Sequence, residues 1–329
     1  MNTMIKKLPL ILNPLPDELF SSWVGRMSRA YGRTSYNWCS LLSPNGFHCG
    51  RDLDLILDER LLEDLSSLTE IPVQKLQDMQ LISYEGKLYP RYDKQIRTIT
   101  QFHIARTRIK MLLYGLQCCT KCLAEDEIPY WRKQWRLAFV VGCARHEVLL
   151  LDSCPACGTR LSLSKRLARQ KLTVCRSCTF DLLDYKESLP FREPIVSLQR
   201  KLLRMLKTGT VEIEPGIVIH STEFFSILQK IFKLCSLQHN IKRSSTLLDY
   251  FQDKSLVLPL NILSKKNHVE RLGVVERQTV MYVVDYLLMG WPNRFIEMYK
   301  RNNIKNALHL DKPTGYLCDL ISRCELNEK

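Results

Sequence analysis

No run of about 18 uninterrupted apolar residues occurs in the chain, and a helix needs roughly that length to cross a bilayer. A membrane-spanning helix is therefore not expected. The first residues imitate a secretory signal only faintly. Lys6 and Lys7 precede a short apolar stretch, Leu8 to Leu12, but Pro9, Pro14 and Pro16 interrupt it and no small-residue cleavage site follows. The sequence also lacks an internal repeat, a low-complexity tract, a P-loop, a placeable set of DDE-type carboxylates and a Cys/His nucleophile pair. Those absences point away from nucleotide hydrolysis, strand transfer and covalent catalysis. Acidic residues are scarce, 34 against 48 Lys and Arg, which leaves a formal net charge of +14.

That excess is uneven. Up to residue 160 there are 21 Lys/Arg against 17 Asp/Glu, and after it 27 against 17. Neutralising phosphates with Lys and Arg releases condensed counterions, so such a balance fits an anionic partner such as nucleic acid. It speaks to binding and solubility rather than to fold. With 329 residues and 45% hydrophobic content the chain can build two or three domains with ordinary cores.

Thirteen cysteines are present, and seven of them fall into knuckles with metal-ligand spacing. Cys119 and Cys122 are followed, after twenty intervening residues, by Cys143 and His146; Cys154 and Cys157 are followed, after seventeen, by Cys175 and Cys178. A C-x-x-C step puts two sulfurs on one tight turn, and a second knuckle completes a tetrahedron around zinc. Sequential pairing is the simplest arrangement, and an interleaved cross-brace is the alternative. Either way, two structural zinc ions are the expected cofactors. Each site has four protein ligands and leaves no open position for a reactive water. Cys118 could replace Cys119 but spoils the two-residue gap, so it reads as a buried or spare thiol. The remaining cysteines, at 39, 49, 235, 318 and 324, show no pairing logic, and free thiols beside metal-bound thiolates suit a reducing, intracellular compartment.

Around this module the periodicity is helical. Asp17 stands at the expected N-cap of a helix to about Tyr31, with Leu19, Trp23, Met27 and Tyr31 on one face and Gly32 ending it. Thr34 or Ser35 caps a second short helix through Leu42. Two short helices joined at a Gly turn are compatible with half of a helix-turn-helix or with any helical hairpin. A helical reading continues from Leu53 towards Met79, broken near Ile71-Pro72, and its cluster of Asp52, Asp54, Asp58, Glu59, Glu63 and Asp64 reads as a solvated or protein-contacting face. Helical spacing returns at Leu198–Leu206, Phe224–Leu234, Ser244–Phe251, Thr279–Met289, Asn293–Lys300 and Asn303–Leu308, with Val211–Ile219 extended. The expected fold is mainly α. An N-terminal helical, helix-turn-helix-like domain covers 1–115, a tandem zinc-finger module with small β content 116–185, and a C-terminal helical domain, which could also hold a helix-turn-helix, 186–329.

The zinc segment carries more than spacing. It reads Cys119-Thr-Lys-Cys122-Leu123, Pro129-Tyr130-Trp131-Arg132, Trp135-Arg136-Leu137, Cys143-Ala-Arg-His146 and Cys154-Pro-Ala-Cys157-Gly158, in that order. Upstream stand Pro14-Leu15-Pro16-Asp17-Glu18, Ser21-Ser22-Trp23 and Arg26. This string resembles the TniQ/TnsD family of transposon target-selection proteins over about the first 180 residues. Thr120 replaces the usual proline of the first knuckle, and the likeness is loose beyond residue 180. The resemblance implies a non-enzymatic bacterial adaptor, cytoplasmic and nucleoid-associated when bound, that recruits an AAA+ ATPase regulator and, through it, the transposase. One branch of the family docks on an RNA-guided CRISPR effector; the other binds a chromosomal attachment site directly through helix-turn-helix and zinc modules. The length of the chain leans towards the RNA-guided branch. Some members pair as homodimers. A plain transcription regulator, with an operator and no ATPase partner, is the other binding-class alternative.

Ten basic residues are candidates for nucleic-acid or partner binding. Arg132, Arg136 and Arg145 lie between or on the first site's knuckles, beside Trp131 and Trp135, where they could instead cap carbonyls around a tryptophan core. Lys165, Arg166, Arg169 and Lys171 occupy the loop between the second site's knuckles. Arg277, Arg294 and Lys305 accompany the C-terminal helices, where Asn302, Asn303 and Asn306 could read base edges, or where Trp291 and Phe295 are core and the polar groups simply solvated. The histidines other than His146 show no ligand spacing, and no residue is assigned a catalytic role.

Overall fold

Apolar side chains recur on a helical period after Leu19, and Phe20–Ala30 forms the first helix, α1. It is buried along Phe20 to Ser28, so it packs on more than one side. Trp23 meets Trp38 of α2 (Ser35–Leu42) edge-on, with ring centroids 5.9 Å apart. On another side a Cβ at Gly25 would lie 2.7 Å from the Leu172 side chain, so a larger residue there would push that side chain aside. Gly32, at φ +65°, turns the chain out of α1, and the Thr34 hydroxyl caps α2 by accepting from the Asn37 amide at 3.1 Å.

The computed structural model describes residues 7–42, 52–55, 59–90, 116–163, 166–236, 269, 272–301 and 315–326. The expected helices over Ser244–Phe251 and Asn303–Leu308, together with Lys165, Asn302, Lys305 and Asn306, lie outside the described residues. The chain divides into two units, Met1–Ser83 with His103–Pro190 and Tyr84–Phe102 with Phe191–Lys329. The expected boundary near residue 115 is therefore not where the structure divides, because the zinc module shares a unit with the N-terminal helices.

In the first unit, α3 (Glu59–Thr69) and α4 (Val73–Asp78) pack together across Ile71-Pro72, and α5 (Thr120–Glu125) opens the metal module. A minimal antiparallel pair follows, β1 (Gly142–Cys143) with β2 (Val148–Leu149). Phe20, Trp23, Met27, Trp38, Leu62, Leu65, Leu76 and Met79 form one buried cluster.

The N-terminus of α1 departs from the sequence expectation. Asp17 is not its cap. It takes a left-handed φ of 54°, its carbonyl accepts from the Lys133 amide at 2.7 Å, and its carboxylate accepts from the Gln134 amide at 3.2 Å. The cap is supplied from 33 residues away: buried Asp54 accepts from the Ser21 amide at 2.7 Å and from the Ser21 hydroxyl at 2.9 Å. A carboxylate at a helix N-terminus satisfies an orphan amide and complements the helix dipole. Asp52 and Asp54 are thus not a solvated acidic face; Asp52–Leu55 is a turn, and the helix begins at Glu59.

Arg136 completes this arrangement. Its guanidinium is 1% exposed and donates to Asp54 at 2.8 Å and to both Asp52 oxygens at 3.1 and 2.7 Å. Burial pulls its pKa down, but the Asp52 and Asp54 carboxylates outweigh that and leave it raised. A second buried pair lies at the same end of α1. Glu18 accepts from Arg26 Nε at 2.8 Å and from the Ser22 hydroxyl at 2.9 Å, and that hydroxyl in turn accepts from the Trp131 amide at 3.0 Å.

The second unit contains α6 (Ile195–Thr208), closed by left-handed Gly209, then the hairpin β3 (Thr210–Glu214) and β4 (Ile217–His220). Next come α7 (Ser221–Ser236), α8 (Val274–Met289), α9 (Asn293–Arg301) and α10 (Tyr316–Leu326). Helices α6, α7 and α9 all pack on α8, which is why α8 is apolar nearly all round. Helix α10 has no counterpart among the sequence expectations; it is tied in by Glu214, which accepts from the Tyr316 hydroxyl and pairs with Arg323 at 3.0 Å.

Removing one partner of a buried ion pair strands the other in a low-dielectric interior, at a cost of about 3–5 kcal/mol. Arg136→Met should destabilise the zinc-loaded protein by that amount in urea unfolding, and Arg136→Lys by less, because ammonium cannot bridge both carboxylates. A loss under about 1 kcal/mol for the methionine variant would contradict the account.

Candidate metal centre

The metal ligands are presented by four short turns, three of them built alike. Glu147, Gly158 and Thr179, each directly after a knuckle, are left-handed, with φ of 52°, 68° and 61°. Their amides return to the carbonyls of Cys143, Cys154 and Cys175 at 2.8, 2.8 and 3.2 Å. That closure folds the C-x-x-C or C-x-x-H step back so that both ligand atoms point the same way. The first knuckle instead sits at the N-terminus of α5, where the Cys119 sulfur accepts from the Cys122 amide at 3.4 Å.

Cys119, Cys122, Cys143 and His146 converge in one cluster and Cys154, Cys157, Cys175 and Cys178 in another, with all ligand atoms of a cluster within 4.8 Å of one another. The pairing is sequential, not interleaved. In the first cluster the Cys122 and Cys143 sulfurs are 3.6 Å apart, and His146 Nδ1 lies 3.3 to 3.4 Å from all three sulfurs. In the second, Cys154–Cys178 and Cys157–Cys175 sulfur distances are 3.6 and 3.8 Å. A zinc–sulfur bond of about 2.3 Å in a tetrahedron sets a sulfur–sulfur edge of about 3.8 Å. Both donor sets therefore fit one structural zinc each, the first through three thiolates and an imidazole, the second through four thiolates.

His146 offers Nδ1 to the first site, and its Nε2 lies 2.9 Å from Glu125, a carboxylate that also pairs with Arg145 at 2.6 Å. A carboxylate behind a ligating histidine fixes the tautomer and raises ligand basicity. Glu125 had no sequence signal beyond its place near the end of α5. Cys118 is fully buried, and burial pushes its thiol pKa up, as suits an inert spare thiol.

The candidate binding residues separate by burial. Arg136 is sealed between Asp52 and Asp54. Arg166 is 7% exposed and donates to the carbonyls of Ser162, Lys171 and Val174. Arg277 is 1% exposed, with Nε on the Leu272 carbonyl at 3.2 Å. None of these three presents a face to a phosphate, which corrects the sequence expectation; each satisfies internal groups. Arg132 chelates Asp126 at 3.1 and 2.7 Å and lies over the rings of Tyr130 and Trp135. Arg294 donates to the Tyr286 carbonyl at 2.8 Å and stacks on that ring. Arg145, Arg169 and Lys171 are exposed. Trp131 and Trp135 are core, 1% and 4% exposed and packed edge to face.

The fold and its two closed clusters define a mainly helical protein stapled by structural zinc. Residues 9–150 match the family model described as TniQ, a segment that ends between the two metal sites. That family is associated with target selection in transposition. No curated protein matches the chain. Among the described residues no helix is long and apolar enough to cross a membrane.

Metal analysis should give two zinc ions per chain. Removing a carboxylate behind a ligating histidine typically weakens metal binding about 10- to 100-fold. In a chelator competition Glu125→Ala should release the first ion that much more readily and leave the second unchanged. Cys154→Ser should unfold the second loop, because binding energy at a structural site is folding energy. A soluble, protease-resistant serine variant with one ion lost would refute that coupling.

Proposed function

We propose that the protein is a non-enzymatic adaptor in transposition target selection. It links a target-recognising complex, an RNA-guided CRISPR effector, to an AAA+ regulator ATPase and through it to the transposase. The observation that carries the reading is the TniQ domain over residues 9–150. It is supported by metal sites with four protein ligands each, which leave zinc no position for a catalytic water. The setting that follows is the cytoplasm, with the nucleoid as the place of action.

Direct recognition of an attachment site by helix-turn-helix elements is the second reading, and the net charge of +14 favours it. Against it, Arg136, Arg166 and Arg277 are spent on internal carboxylates and carbonyls. A direct reader needs such side chains on base edges and phosphates. The adaptor gets its address from another complex and needs only weak DNA affinity.

The two readings separate in a salt series with purified protein on random duplex DNA and on a candidate attachment site. An adaptor should bind weakly, lose affinity steeply with salt, prefer the site by less than about tenfold and co-purify with the regulator ATPase. A site preference of about 10³ or more, the range of specific binders, would establish direct targeting instead.

A further inference from the structure

A cavity of about 640 Å³ lies within the first unit, between α1 and the loop that joins the second site's knuckles. Ala30, Ile128, Pro129 and Leu172 give it apolar walls, and Arg29, Arg169 and Lys171 line it as well. Among the described residues no acidic side chain lines it. Among the described residues neither Arg29 nor Arg169 has a carboxylate partner; Arg29 Nε donates to the Arg169 carbonyl at 3.2 Å, and Lys171 lies 3.8 Å from Asp181. Ile128, which lines it, is 49% exposed.

One polar group in this cavity is orphaned. Thr173 lines it, is 1% exposed, and its hydroxyl has no hydrogen-bond partner. A buried polar group left without a partner is costly, but this hydroxyl is sealed behind the lining and is not offered to a ligand.

We propose that this cavity binds an acidic, apolar peptide segment of a protein partner, with carboxylates against Arg29, Arg169 and Lys171 and an aliphatic or aromatic side chain between Ala30 and Leu172. Charge complementarity and concavity together select this occupant. Arginine matches carboxylate in a two-pronged geometry, and mostly apolar walls with a few placed polar groups are how ligand pockets secure both affinity and orientation. A nucleic-acid backbone is followed by open, cationic surface and gains little from an enclosed apolar wall. The walls are also held in place: Arg26, which lines the cavity, is fixed by Glu18 and by the Asn13 carbonyl, and the Leu172 carbonyl accepts from the Trp131 indole. Preformed walls lower the ordering cost of binding. This site stands independently of how the target is addressed.

The test is fluorescence polarisation of full-length, zinc-loaded protein with a labelled octapeptide of alternating Asp and Leu, its Asn/Leu counterpart, and a labelled oligothymidylate. The acidic peptide should bind and the Asn peptide should not. Arg29→Gln with Lys171→Gln should weaken binding by about tenfold or more. Ala30→Phe, at an exposed helical position, should do the same by occupying cavity space without changing charge. Zinc content and unfolding midpoint, read on each variant, separate loss of the site from loss of the fold. Absence of acidic-peptide binding overturns the proposal, as does an affinity indifferent to Ala30→Phe, which would place the peptide elsewhere on a basic surface. Oligothymidylate binding that Ala30→Phe abolishes, with no peptide binding, would assign the cavity to nucleic acid instead.

Discussion

One buried guanidinium holds the first unit together. Arg136 belongs by sequence to the loop between the first site's knuckles, yet its charge is neutralised by Asp52 and Asp54, more than eighty residues upstream. Asp54 spends its other lone pairs on the first turn of α1. Three segments distant in sequence thus share one set of hydrogen bonds, and none of them can move without leaving a buried charge unpaired. Such a cluster stabilises little over a hydrophobic replacement, because desolvation offsets most of the attraction. Its contribution is to fix one register of zinc loop against helix where apolar packing would tolerate several.

Zinc makes this possible. Among its described residues, the segment from Leu116 to Pro190 has only two-residue strands and short helical turns, too little regular structure for a core of its own. Four knuckles fixed by metal hold the loops between them in place. Those loops then dock: Leu19 donates to the Trp131 carbonyl, Lys133 to the Asp17 carbonyl, and Leu172 fills the space beside Gly25. The residues that carry the family likeness, from Asp17 to Arg26 and from Trp131 to Arg136, are the two sides of this joint. Their pattern reports how the domain is assembled.

Local signals were readable in the sequence and long-range ones were not. The eight ligands followed from knuckle spacing, since covalent reach fixes which residues can share one ion. The α1 to α2 turn and the helical character of the second unit followed from Gly32 and from periodicity. The failures share a cause. Asp17 has the right residue type in the right place for a cap, but tertiary hydrogen bonds claim it, and the true cap comes from Asp54. A run of acids reads as a solvated face unless a buried cation is known to lie opposite. Of the three left-handed residues that close the knuckles, only Gly158 advertises itself; Glu147 and Thr179 are forced into that region by the turn.

The same reasoning changes what the net charge means. A formal +14 counts Arg136, Arg166 and Arg277 as fully as any surface lysine, although they are sealed inside and answer internal groups. The +14 already subtracts the Asp52 and Asp54 that face Arg136, and a guanidinium buried on internal groups is kept from direct contact with a phosphate. Arg29, Arg169 and Lys171 remain exposed, and they surround a concave, apolar space instead of forming a flat stripe. Within the first unit, this distribution suits recognition of a discrete acidic segment better than it suits tracking along a backbone. A basic composition is therefore compatible with a protein whose most specific contacts are with other proteins.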